Sequence, residues 1–181
     1  DPTEIEQMTA ATLDLAFAFG NDLDETATQV GVVLKSFKLE ASETGRVTDV
    51  LAKAFASSAL DLQKFSVSFP KVGAIAKQVG FSLEGTTALL GALTDAGLEA
   101  STAGTSLRSI FLKLADSNSA LSQELGEGVN SVDTLLPALK DLFDSGVNVE
   151  EMLNLTDKRA VTAFATIASG VDDVSNLNTE L

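Results

Sequence analysis

Apolar residues recur along most of the chain at intervals of three and four, which is the spacing of one face of an α-helix. The clearest example is Val47, Val50, Leu51 and Ala54, whose i, i+3, i+4, i+7 positions form a single stripe. The alternating pattern typical of β-strands is nearly absent. The sequence therefore predicts an all-α fold, built as a multi-helix bundle or as a short stack of helical hairpins.

Helix boundaries are marked by residues that commonly cap helix ends. Small polar or acidic residues precede the apolar stripes, and glycines follow several of them. The predicted helices are 5–19, closed by Gly20; 24–37, opened by Asp22 or Asp24; 43–58, capped by Ser42; 62–79, opened by Asp61; 83–96, capped by Ser82 and followed by Gly97; 102–115, capped by Ser101; 134–145, capped by Asp133; 149–155, capped by Asn148; and 158–169, capped by Asp157.

Some segments depart from regular helices. Pro70 lies inside the fourth predicted helix, where proline removes a hydrogen bond and clashes with the preceding turn, so we expect a kink or a split near Phe69. Pro137 is placed in the first turn of its helix, where proline is tolerated. Residues 116–131 are rich in Ser, Asn and Gly, with a turn of helix around 121–125. The polar residues 172–181 are expected to fray.

The sequence also repeats internally, with a shift of about 60 residues. Leu39-Glu40-Ala41-Ser42 matches Leu98-Glu99-Ala100-Ser101, and the apolar stripes that follow these two turns also align. The repeat predicts two related helix–turn–helix units, although any two capped amphipathic helices share some of these features. We expect residues 1–115 to form this helical module, 116–131 to be a loop-rich connection, and 132–181 to be helices that pack on the first part in the same domain.

The charge of the chain excludes several functions. Among 181 residues, 26 are acidic and 12 are basic, which gives a net charge of −14, and the basic residues are scattered along the sequence without forming a stripe. This surface would repel a phosphate backbone, so we expect no specific nucleic-acid binding. No apolar run approaches the roughly 18 residues needed to cross a bilayer. The chain begins at Asp1 and not at Met, which we interpret as a fragment of a longer protein.

The residue types required for much of enzyme chemistry are missing. The sequence has no His and no Cys, which excludes Ser-His and Cys-His nucleophiles, thiolate metal sites and disulfides. Acidic residues such as Asp22, Asp24 and Glu25 open a helix, where negative charge is favourable, and they lack the loop of a calcium site. Gly85 and Gly91 follow no predicted strand, so they indicate close helix packing and not a phosphate-binding loop. We expect no enzyme activity, no cofactor and no metal site.

The most informative stretch runs from Ala92 to Leu112. It is predicted to be a helix that ends at Gly97, a short turn, and a second helix. Arg108 lies off the apolar stripe of that second helix, which leaves two interpretations open: a solvated side chain or surface ion pair, and a clamp on the carbonyls at the end of a neighbouring helix. The residues of the stretch that carry a family resemblance are Asp95, Ala96, Gly97, Ser101, Ala103, Gly104, Thr105, Leu107, Arg108 and Ser109.

These residues resemble the signature of phage tail tape measure proteins. Similar runs at 15–20, 49–54 and 72–77 extend the resemblance over about residues 11–115, with weaker agreement to residue 169. The resemblance implies a structural role in tail assembly, tail-length determination and genome delivery. It also implies a location in the virion tail, and in the bacterial cytoplasm during assembly, with the tail tube, the baseplate and the tail assembly chaperones as partners.

The residues alone leave two other hypotheses open. One is a helical interaction domain of a bacterial protein unrelated to tails, and the other is a tail-associated enzyme, for which the segment lacks a catalytic constellation. A mean hydropathy of +0.21 is high for an acidic chain. We therefore expect some apolar surface to stay exposed and to meet a second copy or another protein.

Overall fold

The computed structural model describes residues 2–181, apart from the side chains of residues 3 and 4. These residues form α-helices and their connections, with no β-strand among them, which confirms the prediction of an all-α bundle. A short 3₁₀ helix (Ala41–Glu43) precedes α3. The α-helices are α1 (Pro2–Phe19), α2 (Leu23–Phe37), α3 (Thr44–Ser57), α4 (Leu62–Val79), α5 (Leu83–Asp95), α6 (Ala100–Ala115), α7 (Ala120–Leu125), α8 (Val132–Asp144), α9 (Val149–Leu155), α10 (Val161–Ser169) and α11 (Val171–Glu180).

A row of stacked and edge-on phenylalanine rings joins the first four helices. α1 packs on α2 and α3, and α4 packs against α2, α5 and α6. Within this arrangement Phe19 meets Phe55, Phe55 meets Phe65, Phe65 stacks on Phe69, and Phe69 stacks on Phe37, with ring centroids between 4.6 and 6.1 Å apart. Aromatic contacts of this kind stabilise a core beyond the area that they bury.

The later helices lie against the earlier ones. α10 packs on α6, and α11 packs on α5 and α8. Two glycines of α5 make room for side chains of the later helices. A Cβ at Gly91 would lie 2.7 Å from Leu177 of α11, and a Cβ at Gly85 would lie 2.8 Å from Val132 of α8. The prediction that these glycines serve close packing is confirmed. The division of the chain at residues 115 and 131 stays a prediction.

The two matching Leu-Glu-Ala-Ser turns begin alike and then differ. Each follows a residue with left-handed backbone, Lys38 with φ 53° and Gly97 with φ 83°, and in each the next residue donates its N–H to the preceding helix. The first turn then forms the 3₁₀ helix before α3, whereas the second enters α6 directly at Ala100. The 60-residue repeat therefore stays a prediction.

Several predicted helix starts are confirmed by side-chain hydrogen bonds. Asp22, Asp61, Ser82 and Asn148 each accept a backbone N–H from the first turn of the helix that they precede. Such a bond satisfies one of the donors that the end of a helix leaves without a partner. The predicted turn of helix inside 116–131 is also confirmed, as α7.

Other predicted caps are wrong: Ser42, Ser101, Asp133 and Asp157. Ser42 lies inside the 3₁₀ helix. α6 begins before Ser101 because the longer carboxylate of Glu99 reaches the N–H of Thr102 at 2.9 Å.

At α8 the cap is Ser131, which exchanges hydrogen bonds with Thr134 in a capping box, so Asp133 falls within the first turn. Asp157 holds a tight turn, and α10 starts only at Val161.

Both prolines inside helices lie on the solvent side. α4 continues unbroken through Pro70, so the helix does not split there, and the alternative of a kink near Phe69 stays a prediction. α8 starts at Val132, which places Pro137 in the second turn and not the first. A proline leaves the carbonyl four residues earlier without its helical partner. Here those carbonyls belong to the partly exposed Ser66 and the exposed Asp133, which are not part of the core.

The C-terminal residues form α11, which corrects the expectation of a frayed end. Val174 is fully buried and Leu177 is 6% exposed. Their spacing places both on the face of α11 that packs on α5 and α8. Because most of the neighbouring residues are polar, the composition of the segment does not reveal this apolar stripe.

The packing of α11 leads to a prediction for the free energy of unfolding. Leu177→Ala removes a buried side chain that rests on α5, so it should lower that free energy by about 2–4 kcal/mol. Ser175→Ala, on the exposed side of the same helix, should change it by less than about 0.5 kcal/mol. Urea titration followed by circular dichroism measures both. Equal, small effects would mean that α11 contributes nothing to the fold.

Candidate functional site

The family-like residues lie where α5 ends and α6 begins, next to α4. Gly97 takes the left-handed conformation that lets the chain leave α5, with φ 83°. Ala96 is the exposed C-terminal cap of α5. One residue earlier, the Asp95 carboxylate accepts the N–H of Ala59 at 2.5 Å, which ties the end of α5 to the connection between α3 and α4.

Gly104 allows α6 to rest directly on the backbone of α4. A Cβ at Gly104 would lie 2.4 Å from the carbonyl oxygen of Ser68, which is closer than real Cβ atoms approach. The buried Ala103 and Leu107 flank this contact with no exposed surface. Backbone contact at this distance requires a residue without a side chain.

Two basic side chains reach across the same helix pair. Lys71 of α4 donates from Nζ to the hydroxyl and the carbonyl oxygen of Ser101. Arg108 of α6 donates to the carbonyl oxygen of Lys71 at 3.3 Å. Arg108 is therefore an exposed clamp on a neighbouring carbonyl, but it contacts the middle of α4 and not a helix end.

The opposite side of α6 is bound to the connection between α9 and α10. Ser109 Oγ donates to the Asp157 carboxylate at 2.5 Å, and Ser106 Oγ donates to the carbonyl oxygen of Arg159 at 2.9 Å. The hydrogen bond from Ser109, with the backbone N–H groups of Ala160 and Arg159, lowers the pKa of Asp157 below its ordinary value. The carboxylate is thus held in its charged form.

The structure brings most of the sequence-predicted residues into contacts with other elements. The exception among the polar ones is Thr105, whose hydroxyl bonds to Ser101 of its own helix. Sequence reasoning missed the roles of Ser68 and Ser106 and assigned Asp157 only to a helix cap, whereas all three complete contacts between segments distant in the chain. The sequence does not indicate which of these residues bond to each other, because only the folded backbone brings residues so far apart in the chain together.

An open cleft of about 460 Å³ borders the motif at Asp95. Asp173, Glu180 and Thr166 also line it, and its polar lining residues are exposed or partly exposed. Within residues 2–181, the described side chains include no group of three or more His, Cys, Asp or Glu placed to hold a metal ion. None of the helices between residues 2 and 181 combines the length and the apolar character of a membrane span. The geometry of the motif is that of a helix junction.

The fold and the motif define a helical packing module. A family model described as phage-related minor tail protein matches residues 1–134, which include the whole motif, and the chain belongs to this family. It is 34% identical to the tape measure protein of Pneumococcus phage Dp-1 over 131 residues, or 72% of this chain. It is also 31% identical to a probable tape measure protein of Escherichia phage P2 over 63% of this chain. The predicted family resemblance is confirmed.

A further relative is a probable tape measure protein of Clostridium phage phiCD119, at 26% identity over 82% of this chain. The matched regions cover 11%, 14% and 16% of these three relatives, so the chain spans less than a fifth of their length. No solved structure matches the chain.

The contact at Gly104 predicts opposite effects for the same substitution at two glycines. Gly104→Ala forces a Cβ into the Ser68 carbonyl and should lower the free energy of unfolding by about 2 kcal/mol or more. Gly31→Ala, in α2, meets nothing within 4 Å and should raise it by about 0.5–1 kcal/mol, because alanine favours the helix. Urea unfolding followed by circular dichroism checks both signs. A neutral Gly104→Ala would refute the close approach of α4 and α6.

The lowered pKa of Asp157 predicts how its contribution depends on pH. A carboxyl whose pKa is lower in the folded state stabilises the fold at pH values above its unfolded pKa of about 4. That contribution is lost as pH falls through the folded pKa. The stability difference between wild type and Asp157→Asn should therefore be constant near neutral pH and shrink below about pH 4.

Ser109→Ala removes the first donor to this carboxylate and should show a weaker form of the same pH dependence. Urea titrations from neutral to acidic pH compare the three proteins. A wild-type advantage that does not change with pH would contradict the hydrogen bonds assigned to Asp157.

Proposed function

We propose that the chain is a non-enzymatic structural module of a tape measure protein from a phage or a prophage. Its place is the virion tail, and the protein that contains it acts in tail assembly, tail-length determination and genome delivery. The observation that carries this proposal is the family match over residues 1–134, whose key residues serve helix packing. The relatives named tape measure protein support it further.

The module itself is too short to measure a tail by its extension. Its longest helices have 18 residues, which corresponds to about 27 Å at 1.5 Å per residue. An unbroken helix over the whole chain would span about 270 Å, but the turns at Gly20, Gly80 and Gly97 fold it back on itself. We therefore assign length determination to other parts of a longer protein and assign assembly contacts to this module.

The partners that we propose are other tail components. The tail tube, the baseplate and the assembly chaperones follow from the family resemblance, and assembly takes place in the bacterial cytoplasm. An interaction domain of a protein unrelated to tails is not favoured, because the matched family and the relatives are phage tail proteins. A non-enzymatic role agrees with a sequence that has no His and no Cys.

Tails purified from a phage or induced prophage that encodes the chain test this function. Mass spectrometry should detect peptides of residues 1–181 in them. Gly104→Leu, which disrupts the α4–α6 contact, should reduce the number of tails seen by electron microscopy, while the remaining tails keep their normal length. Gly31→Ala is the matched control and should leave tail number unchanged. Absence of the peptides from tails would refute the proposal, and tails of altered length would show that the module itself sets length.

A further inference from the structure

The charges of this acidic chain are strongly segregated. α4 and α6 together contain Lys64, Lys71, Lys77, Arg108 and Lys113 and no acidic residue, although the whole chain has 26 acidic and 12 basic residues. These basic residues look scattered in the sequence. Lys71 and Arg108 meet because α4 and α6 pack side by side at Ser68 and Gly104, and the other three lie along the same two helices.

The solvent-facing side of this helix pair is both basic and apolar, and we call it the basic face. On α4 the exposed Val67, Pro70, Ala74 and Gln78 follow one another at helical spacing. On α6 the exposed Leu112 lies one turn after Arg108. Val67 is 41% exposed and Leu112 is 43% exposed, so each retains apolar surface that a partner can bury.

Few acidic groups compete for these cations. Glu99 caps the start of α6 and Asp157 bonds to Ser109 on the other side of that helix, and backbone N–H groups already engage both carboxylates. Lys64 is paired with Asp61 at one end. Lys71 and Arg108 donate to neutral oxygens, so their positive charge is available to an anionic partner.

The N-terminal part of the chain has the opposite character. Residues 1–34 contain seven acidic and no basic residues. Glu6, Asp14 and Asp24 are exposed, and exposed apolar side chains lie among them: Phe17 is 78% exposed and Leu23 is 40% exposed. We call this surface of α1 and the start of α2 the acidic face. α1 packs on α2 and α3, and α2 packs on both α1 and α4, so the two faces are carried by different helices of the bundle.

We propose that the basic face of one copy of the chain binds the acidic face of a second copy, head to tail. The two surfaces complement each other in charge, and each presents apolar side chains for burial. When two copies bind through two different surfaces, the resulting dimer still has one free basic face and one free acidic face. Such association therefore continues into a ring or a filament and does not stop at a two-fold dimer. The proposal does not rest on the tail function.

A second copy fits the basic face better than nucleic acid does. The remainder of the chain carries all 26 acidic residues, which repel a phosphate backbone as it extends past the face. The sequence has no Trp and no Tyr for base stacking. Exposed Val67 and Leu112 favour a protein surface.

Sedimentation velocity of the chain over a range of concentrations tests the proposal. In about 0.05 M NaCl the average sedimentation coefficient should rise with concentration, and in about 0.5 M NaCl the rise should disappear, because salt screens the charges. Lys77→Glu with Arg108→Glu should weaken association at least about tenfold. Lys35→Glu with Lys140→Glu changes the net charge equally outside both faces and should associate like wild type. Circular dichroism confirms that each variant is folded.

A charge exchange distinguishes the proposed contact from any general effect of charge. Glu6→Lys with Asp14→Lys places two cations on the acidic face, and this variant alone should also associate at least about tenfold more weakly than wild type. A mixture of this variant with the basic-face variant brings the new cations opposite the new carboxylates and should associate more strongly than either variant alone. A wild-type chain that stays monomeric in low salt, or a mixture that associates no more strongly than either variant alone, would overturn the proposal. Binding of a short DNA duplex in place of self-association would also overturn it, and would assign the face to nucleic acid.

Discussion

The backbones of α4 and α6 touch at Gly104, and the contacts around them are built on that approach. Gly104 lets α6 lie against the Ser68 carbonyl, and at that separation Lys71 and Arg108 bond across the pair. The position of α6 then fixes where Ser106 and Ser109 hold the connection before α10. This packing explains the small and hydroxyl-bearing residues of the motif.

Local features of the fold could be predicted from the sequence, because their causes lie within a few residues. Asp22, Asp61, Ser82 and Asn148 cap helices next to them, and Gly97 supplies a left-handed turn by itself. Cap predictions were wrong where another side chain bonds to the first turn of the helix. The Glu99 carboxylate, and not Ser101, accepts the backbone N–H at the start of α6. Ser131 and Thr134 form a capping box at the start of α8, so Asp133 is not the cap.

Features that depend on distant elements could not be predicted in the same way. The need for glycine at position 104 comes from Ser68, and the Asp157 carboxylate finds its donor in Ser109, 48 residues away. The basic residues of α4 and α6 lie far apart in sequence and form one surface only after the helices pack. The family could be predicted because its signature is a run of residues, whereas the contacts behind that signature required the fold.

The attachment of α1 has a mechanical consequence. Among its described side chains, only Thr12, Leu15 and Ala16 are buried, and Phe19 adds one ring contact to α3. α4 is held on several sides by the aromatic row and by α6. Tension applied along the chain from its N-terminal side therefore peels α1 away first, while the α4–α6 crossing stays intact.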